Sequence, residues 1–301
     1  MAEIAHNGGN PDSLTYTVDV VTRSGTSFYL GMRSLPLERR HAMYAIYMYA
    51  IYAFCREVDD IADGPDSNAV KRSELREWRA EVERLYAGNP TRPATRALAD
   101  AVRRFGLPRE EFLAIIDGME MDLDDAMFAP DGTRLHLYCR RVAGAVGLLS
   151  LHAFGADEPD AQTFALALGE ALQLTNILRD VTEDAEQGRL YLPGDLLRRH
   201  GIDPAAGISS VLSSTALDTA CRDLAAIAHS RFADADRALL RCRRSRLRPA
   251  LLMMGIYEEL LDMLERRGWH GHEPPLSLSK PRKLWAALRR GLFRPKWRPP
   301  A

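Results

Sequence analysis

The chain has 301 residues, 46% of them hydrophobic, enough for a sizeable core in one large domain or two smaller ones. Forty Lys and Arg against 41 Asp and Glu leave a formal net charge of −1, so total charge gives no sign of a nucleic-acid partner. Cys55, Cys139, Cys221 and Cys242 are scattered without C-x-x-C spacing, which speaks against a zinc site or a disulfide framework and for reduced thiols in a cytoplasmic protein.

The first dozen residues, with Asn7, Gly8, Gly9, Asn10 and Pro11, are polar and unlike a signal peptide. Residues 1–23 are expected to form a flexible segment. No apolar run reaches the roughly 18 residues of a membrane span. Helical periodicity then predicts segments over 37–63, 70–87, 92–105, 109–126, 134–154, 160–186, 215–239 and 247–267, an all-α bundle of about eight helices. Ser34-Leu35-Pro36 opens the first, and Gly64-Pro65-Asp66 ends it because proline lacks a backbone donor and obstructs the preceding turn. Gly106-Leu107-Pro108 and Pro193-Gly194-Asp195 mark further breaks.

Within the first segment Met43-Tyr44-Ala45-Ile46-Tyr47 is repeated at once as Met48-Tyr49-Ala50-Ile51-Tyr52. Five extra helical residues rotate whatever lies upstream by about 140°, so the helix must re-register, bulge or shorten at its start. The acids Glu120, Asp122, Asp124 and Asp125 read as a solvated helix end, and Gly144 and Gly147 as close-packing positions between helices. From Lys280 onward eight basic residues alternate with Leu284, Trp285, Leu288, Leu292, Phe293 and Trp297. Residues 279–301 therefore form a basic amphipathic tail suited to an anionic membrane surface, the alternative being a merely soluble tail.

Two acidic stretches carry the functional signal: Arg56-Glu57-Val58-Asp59-Asp60-Ile61-Ala62-Asp63 and Asn176-Ile177-Leu178-Arg179-Asp180-Val181-Thr182-Glu183-Asp184. At i, i+4 spacing Asp59 and Asp63 share one helix face, and Asn176, Asp180 and Asp184 share another. Like charges so stacked weaken an isolated helix by about 0.2–0.5 kcal/mol per pair. A cluster of divalent cations accounts for them, because carboxylate and amide oxygens are the hard ligands magnesium prefers, completed by water and substrate phosphate. A solvated face is the commoner fate of one such stripe; two stripes with Arg179 and Arg189 beside the second point to a diphosphate site.

The first acidic stretch with Tyr52-Ala53-Phe54-Cys55 before it, the second with Gln173-Leu174-Thr175 before it, and the trailing Gly188-Arg189-Leu190-Tyr191-Leu192-Pro193 resemble the squalene and phytoene synthase family, whose members join two prenyl diphosphates head to head. The resemblance covers roughly residues 24 to 290. Ser27-Phe28-Tyr29, the Arg140 to Gly147 stretch and Leu278 to Trp285 look most like the bacterial presqualene diphosphate synthases of hopanoid pathways. The resemblance implies a single-domain helical bundle of the isoprenoid synthase type, residues 24–278, with a central cavity. It implies a prenyltransferase that condenses two farnesyl diphosphates to presqualene diphosphate, with two or three magnesium ions and without NADPH. Asp59, Asp63, Asn176, Asp180 and Asp184 would hold the metal; Tyr52, Arg56, Tyr138 and Arg179 would be catalytic; Ser24, Ser27, Phe28, Gln173, Arg189 and Tyr257 would bind substrate. The base that removes the final proton is a tyrosine or the released diphosphate. The duplication departs from the family pattern and leaves open the placement of Ser24 to Phe28 and whether Tyr47 or Tyr52 takes the tyrosine position. Phytoene or dehydrosqualene synthesis, full NADPH-dependent squalene synthesis and a non-catalytic scaffold are the alternatives. A scaffold has no reason to keep both acidic stripes. The expected location is cytoplasmic, with peripheral contact at the inner membrane face through the tail; oligomeric state stays open.

Overall fold

The computed structural model describes residues 39–292 together with Tyr16 and Asp19, and over these residues it is helical with no strand. The helices are α1 (Arg39–Asp63), α2 (Asn68–Tyr86), α3 (Pro93–Phe105), α4 (Arg109–Met121), α5 (Gly132–Cys139), α6 (Ala145–Phe154), α7 (Pro159–Glu186), α8 (Gly194–Arg199), α9 (Ile208–Leu212), α10 (Leu217–Leu239), α11 (Arg248–Arg267) and α12 (Lys280–Leu292). A π-helical turn (Arg140–Gly144) joins α5 to α6, and 3-10 turns lie at Asp125–Met127 and Pro204–Ala206. Ser24, Ser27 and Phe28 lie outside the described residues.

Helix ends follow local chemistry. Pro93 and Pro159 open α3 and α7, where the missing N–H costs nothing. Asp131 caps α5 by accepting from the Arg134 N–H at 2.7 Å. Gly106 and Gly155 close α3 and α6 in the left-handed region, at φ 59° and 64°.

Each of the eight predicted segments holds a helix, with three differences. Segment 109–126 ends as α-helix at Met121. Segment 134–154 is interrupted by the π turn, in which the Ala145 N–H donates to the Arg140 carbonyl, five residues back. The widened turn fits because its neighbours are bare: a Cβ on Gly118 of α4 would come within 2.6 Å of Val142 Cγ1, and one on Gly169 of α7 within 2.9 Å of Gly144 N. Helices α8 and α9, six and five residues long, are too short for periodicity to register. The duplicated segment runs through α1 without a break.

Helix α7 is the axis of the bundle, packed against α6, α10, α11 and the π turn. The buried Trp269 donates its indole N–H to the Leu178 carbonyl at 2.7 Å, tying the segment after α11 to α7. On the other side Phe54 of α1 meets Trp78 and Phe112 edge-on at 5.3 and 5.0 Å, contacts worth about 0.5–1.5 kcal/mol each beyond their burial. Fully buried Glu81 accepts from the Thr91 and Arg92 N–H groups at 2.6 and 2.9 Å, which satisfies the start of α3. Helix α12 lies along α11, where Gly255 lets the Ala286 carbonyl approach to 2.5 Å of a Cβ position. Buried Arg290 pairs there with Asp236 at 2.7 Å and Glu258 at 3.0 Å. None of the described helices is long and apolar enough to cross a membrane.

Candidate active site

Helix α1 brings Met48, Tyr52, Arg56, Asp59 and Asp63 onto one face by their spacing, and the C-terminal half of α7 does the same for Gln173, Asn176, Asp180 and Asp184. The two faces meet through Arg189, in the segment after α7: its Nη1 donates to Asp63 Oδ1 at 2.6 Å and its Nη2 to the Ala62 carbonyl at 3.2 Å. Arg189 also exerts its field on Asp59, Asp122 and Asp184, so acids from α1, α7 and the end of α4 surround one guanidinium.

The electrostatics are those of crowded, desolvated carboxylates. Burial first, then Asp63 and Asp60, push Asp59 up to about 6, against the pull of Arg56 and Arg189. Burial, then Asp180, Glu183 and Asp122, push Asp184 up to about 7 against Arg189. Arg56 pairs with Asp59 at 3.2 Å and Asp60 at 2.6 Å, while Arg179 grips Asp180 with its Nε at 2.6 Å.

Asn176 is the polar atom out of place. Its Oδ1 is buried and accepts no hydrogen bond from any described residue, while its amide reaches the Tyr257 hydroxyl of α11. An orphaned amide oxygen one turn before Asp180 and two before Asp184 is the donor set of a hard divalent cation, so these residues fit magnesium. Among the described residues only His229, Asp262 and Glu265, outside this cleft, bring three His, Cys or carboxylate ligand atoms within 4.8 Å of one another.

An apolar cavity of about 220 Å³ opens beside Asn176. Gln173, Asn176 and Tyr257 line its polar side, and Met48, Phe154, Phe164, Leu168 and Met253 are among its apolar walls. A second cavity of about 250 Å³ holds Arg179, Asp180, Glu183 and Lys283, the last brought in by α12. Burial and then Arg179 lower the Lys283 pKa. The Tyr47 hydroxyl donates to Asp100 of α3 at 2.5 Å and its ring packs on Phe105, so it points into the bundle, whereas Tyr52 stands two turns before Asp59 on the acidic face.

Asp122 is a correction. The reading of its acidic run as a solvated helix end holds for neither its burial nor its partners: its two carboxylate oxygens accept from Tyr138 at 3.1 Å and Tyr191 at 2.8 Å, whose rings stack at 5.3 Å. Burial first pushes Asp122 up to about 7, with the two tyrosines and Arg189 resisting. Glu120 and Asp124 are also engaged, by Arg79 at 2.7 Å and Arg72 at 2.7 Å. Tyr191 and Lys283 fall within strings that carry the family resemblance, but only the folded chain brings them to the cleft.

Residues 21–283 match the model of the squalene/phytoene synthase family. The chain is 44% identical over 265 residues to the presqualene diphosphate synthase of Zymomonas mobilis, covering 88% of each protein. It is likewise 44% identical over 260 residues to that of Rhodopseudomonas palustris, covering 86% of this chain and 91% of the relative. Its fold superposes on a crystal structure of a dehydrosqualene synthase with a TM-score of 0.79 and 28% identity, over 92% of this chain and 94% of the other. Two acidic faces, an arginine between them and an apolar cavity beside them thus sit on a chain that belongs to the squalene/phytoene synthase family.

Proposed function

We propose that this protein condenses two farnesyl diphosphates head to head into presqualene diphosphate with release of diphosphate. The observation that carries this reading is the juxtaposition of an apolar cavity with a cleft of paired acids and arginines, joined at Asn176 and Tyr257. The naming of its relatives as presqualene diphosphate synthases supports the choice of substrate and product.

Asp59, Asp63, Asn176, Asp180 and Asp184 hold magnesium, which supplies Lewis-acid stabilisation of the departing diphosphate. Arg56, Arg179 and Arg189 take its oxygens through the planar guanidinium fork. Gln173 and Tyr257 orient the chain at the cavity mouth, and the part of Ser24, Ser27 and Phe28 is to cover the phosphates. Phe154 and Phe164 wall the apolar cavity that takes the prenyl chain and keep water from it. Tyr52 acts from the face of α1 that carries Asp59 and Asp63. Tyr138 donates its own proton to Asp122, so its oxygen keeps lone pairs to present to the allylic cation. The proton lost on ring closure goes to the released diphosphate, or to Tyr138 as Tyr138 passes its own proton to Asp122, and NADPH is not required. Helix α12, with Leu284 and Trp285 52% and 65% exposed beside Arg282 and Arg289, makes peripheral contact with the membrane that holds the product.

The test is incubation of the purified protein with farnesyl diphosphate and magnesium, with and without NADPH, followed by mass spectrometry. Presqualene diphosphate in both arms is expected. Squalene formed only with NADPH, or turnover of geranylgeranyl diphosphate alone, would overturn the assignment. Asn176→Ala is expected to raise the magnesium concentration needed for half-maximal rate about tenfold or more, and an unchanged requirement would remove Asn176 from the metal set.

A further inference from the structure

The end of α10, the connection to α11 and the first residue of α11 carry Arg237, Arg241, Arg243, Arg244, Arg246 and Arg248 within twelve positions, with no acid among them. The side chains of Arg237, Arg241 and Arg243 are 62%, 73% and 67% exposed. Between them stands Leu240, 85% exposed, more than any other large apolar side chain among the described residues. One exposed leucine is ordinary on a protein surface. Its setting here is not.

Arg244 donates to the Arg290 carbonyl at 3.3 Å, which joins the turn to the end of α12, the helix that exposes Leu284 and Trp285. In the other direction the chain runs straight into Pro249, Ala250 and Met253, which line the apolar cavity. Pro249 lies eight residues before Tyr257 on α11, about 12 Å along the helix, so this end of the cavity is remote from the acids. An arginine-rich turn, the C-terminal end of α12 and the far end of the apolar cavity therefore adjoin.

Acids do answer some of these arginines: Arg246 pairs with Asp157 at 2.8 Å, Arg241 with Asp160 at 3.2 Å and Arg243 with Glu158 at 3.5 Å. Arg237 pairs with Asp234. These pairs are partly or largely exposed, and such pairs are weak and exchange readily for other anions. The chain as a whole is close to neutral, so the concentration of arginine on one face is local rather than a reflection of composition.

We infer that the turn 237–248 is a docking surface for an anionic lipid bilayer, with Leu240 entering the headgroup layer, and that with α12 it sets the remote end of the apolar cavity against the membrane. Arginine meets lipid phosphate, and the projecting leucine and tryptophan have a use in a bilayer that a nucleic acid would not give them. The purpose of the contact rests on the prenyl-substrate reading above; the contact itself does not.

Co-sedimentation of the full chain with vesicles tests it, using phosphatidylcholine alone and phosphatidylcholine mixed with phosphatidylglycerol. The wild type is expected to sediment with the mixed vesicles only. Combining Arg241→Ser and Arg243→Ser is expected to weaken partitioning by about fivefold per arginine at low salt, Leu240→Asp to weaken it further, and Arg241→Lys with Arg243→Lys to preserve it. A melting temperature close to wild type identifies the folded variants. Trp285→Ser is measured separately, so that loss there without loss in the turn variants would leave the contact on α12 and overturn the turn. Equal sedimentation of wild type and turn variants, or binding to heparin that ignores Leu240→Asp and exceeds binding to vesicles, would also overturn it. Turnover of detergent-dispersed farnesyl diphosphate by the turn variants is expected to equal wild type, and a wild type that binds vesicles without turnover would fail the functional reading alone.

Discussion

Replacing Asp122 by asparagine removes a charge while keeping the outline of a side chain that takes hydroxyl protons from both Tyr138 and Tyr191. Burial pushes the carboxyl from an ordinary 3.8 up to about 7. The folded protein thus holds a proton there that the unfolded chain has already released, so stability from this group is full below about pH 4 and is lost as pH rises through about 7. At 1.36 kcal/mol per unit, a shift of about three units amounts to roughly 4 kcal/mol over the whole window, and about 2–3 kcal/mol of it falls between pH 5 and pH 8. Asparagine does not titrate. At about pH 5 the variant is expected to be less stable by roughly 1–3 kcal/mol, because one of the two tyrosines loses its acceptor, and by about pH 8 this deficit is expected to shrink by about 2–3 kcal/mol or reverse. Urea unfolding with a chelator present at both pH values, alongside Tyr138→Phe, measures it. A deficit that is equal at both pH values, or that grows with pH, would refute the reasoning.

Glu81→Gln is expected to cost about 2–4 kcal/mol at neutral pH, since an amide nitrogen would face the donors at Thr91, Arg92 and Thr95. Although burial raises its pKa, the hydrogen bonds from those residues hold Glu81 down to about 2, so the wild type, unlike the variant, should lose stability from this site as pH falls from 4.5 to about 2 in acid unfolding. Gly255→Ala places a Cβ 2.5 Å from the Ala286 carbonyl and 2.7 Å from Arg290 Cβ; a loss of roughly 1–3 kcal/mol and faster proteolysis within α12 are expected, and an unchanged digest would show that the helix pair adjusts. Phe164→Ala, in the wall of the apolar cavity, should lower the melting temperature through a loss of about 3–5 kcal/mol and shift turnover toward longer prenyl diphosphates, with an unchanged chain-length ratio counting against this wall as the limit.

What the sequence made legible is what one helix can express by itself. The faces of α1 and α7 follow from i, i+4 spacing, and most helix ends follow from glycine and proline. Asp122 was opaque because its meaning comes from Tyr191 and Arg189, 69 and 67 positions later, and an acidic run at a helix end looks the same whether water or tyrosine lies beyond it. The π turn was opaque for a related reason, since Gly118 and Gly169, which make space for it, lie on other helices. Helix α12 reads as a basic tail until Gly255, Asp236 and Glu258 are placed beneath it. The arginines of the α10–α11 turn are plain in the sequence, but only the fold sets them beside the cavity.

The arginines of the cleft are already committed. Arg56 is held by Asp59 and Asp60, Arg179 by Asp180 and Arg189 by Asp63, so the same guanidiniums suited to phosphate serve in the resting protein as counter-ions to the carboxylates suited to metal. On the proposed function, a divalent ion would compete with an arginine for its carboxylate, and an arginine so displaced would be released toward phosphate. Uptake of cation and of diphosphate would then be an exchange of partners, and thermodynamic linkage would make it reciprocal: whatever factor diphosphate adds to the affinity for the cation, the cation would add to the affinity for diphosphate.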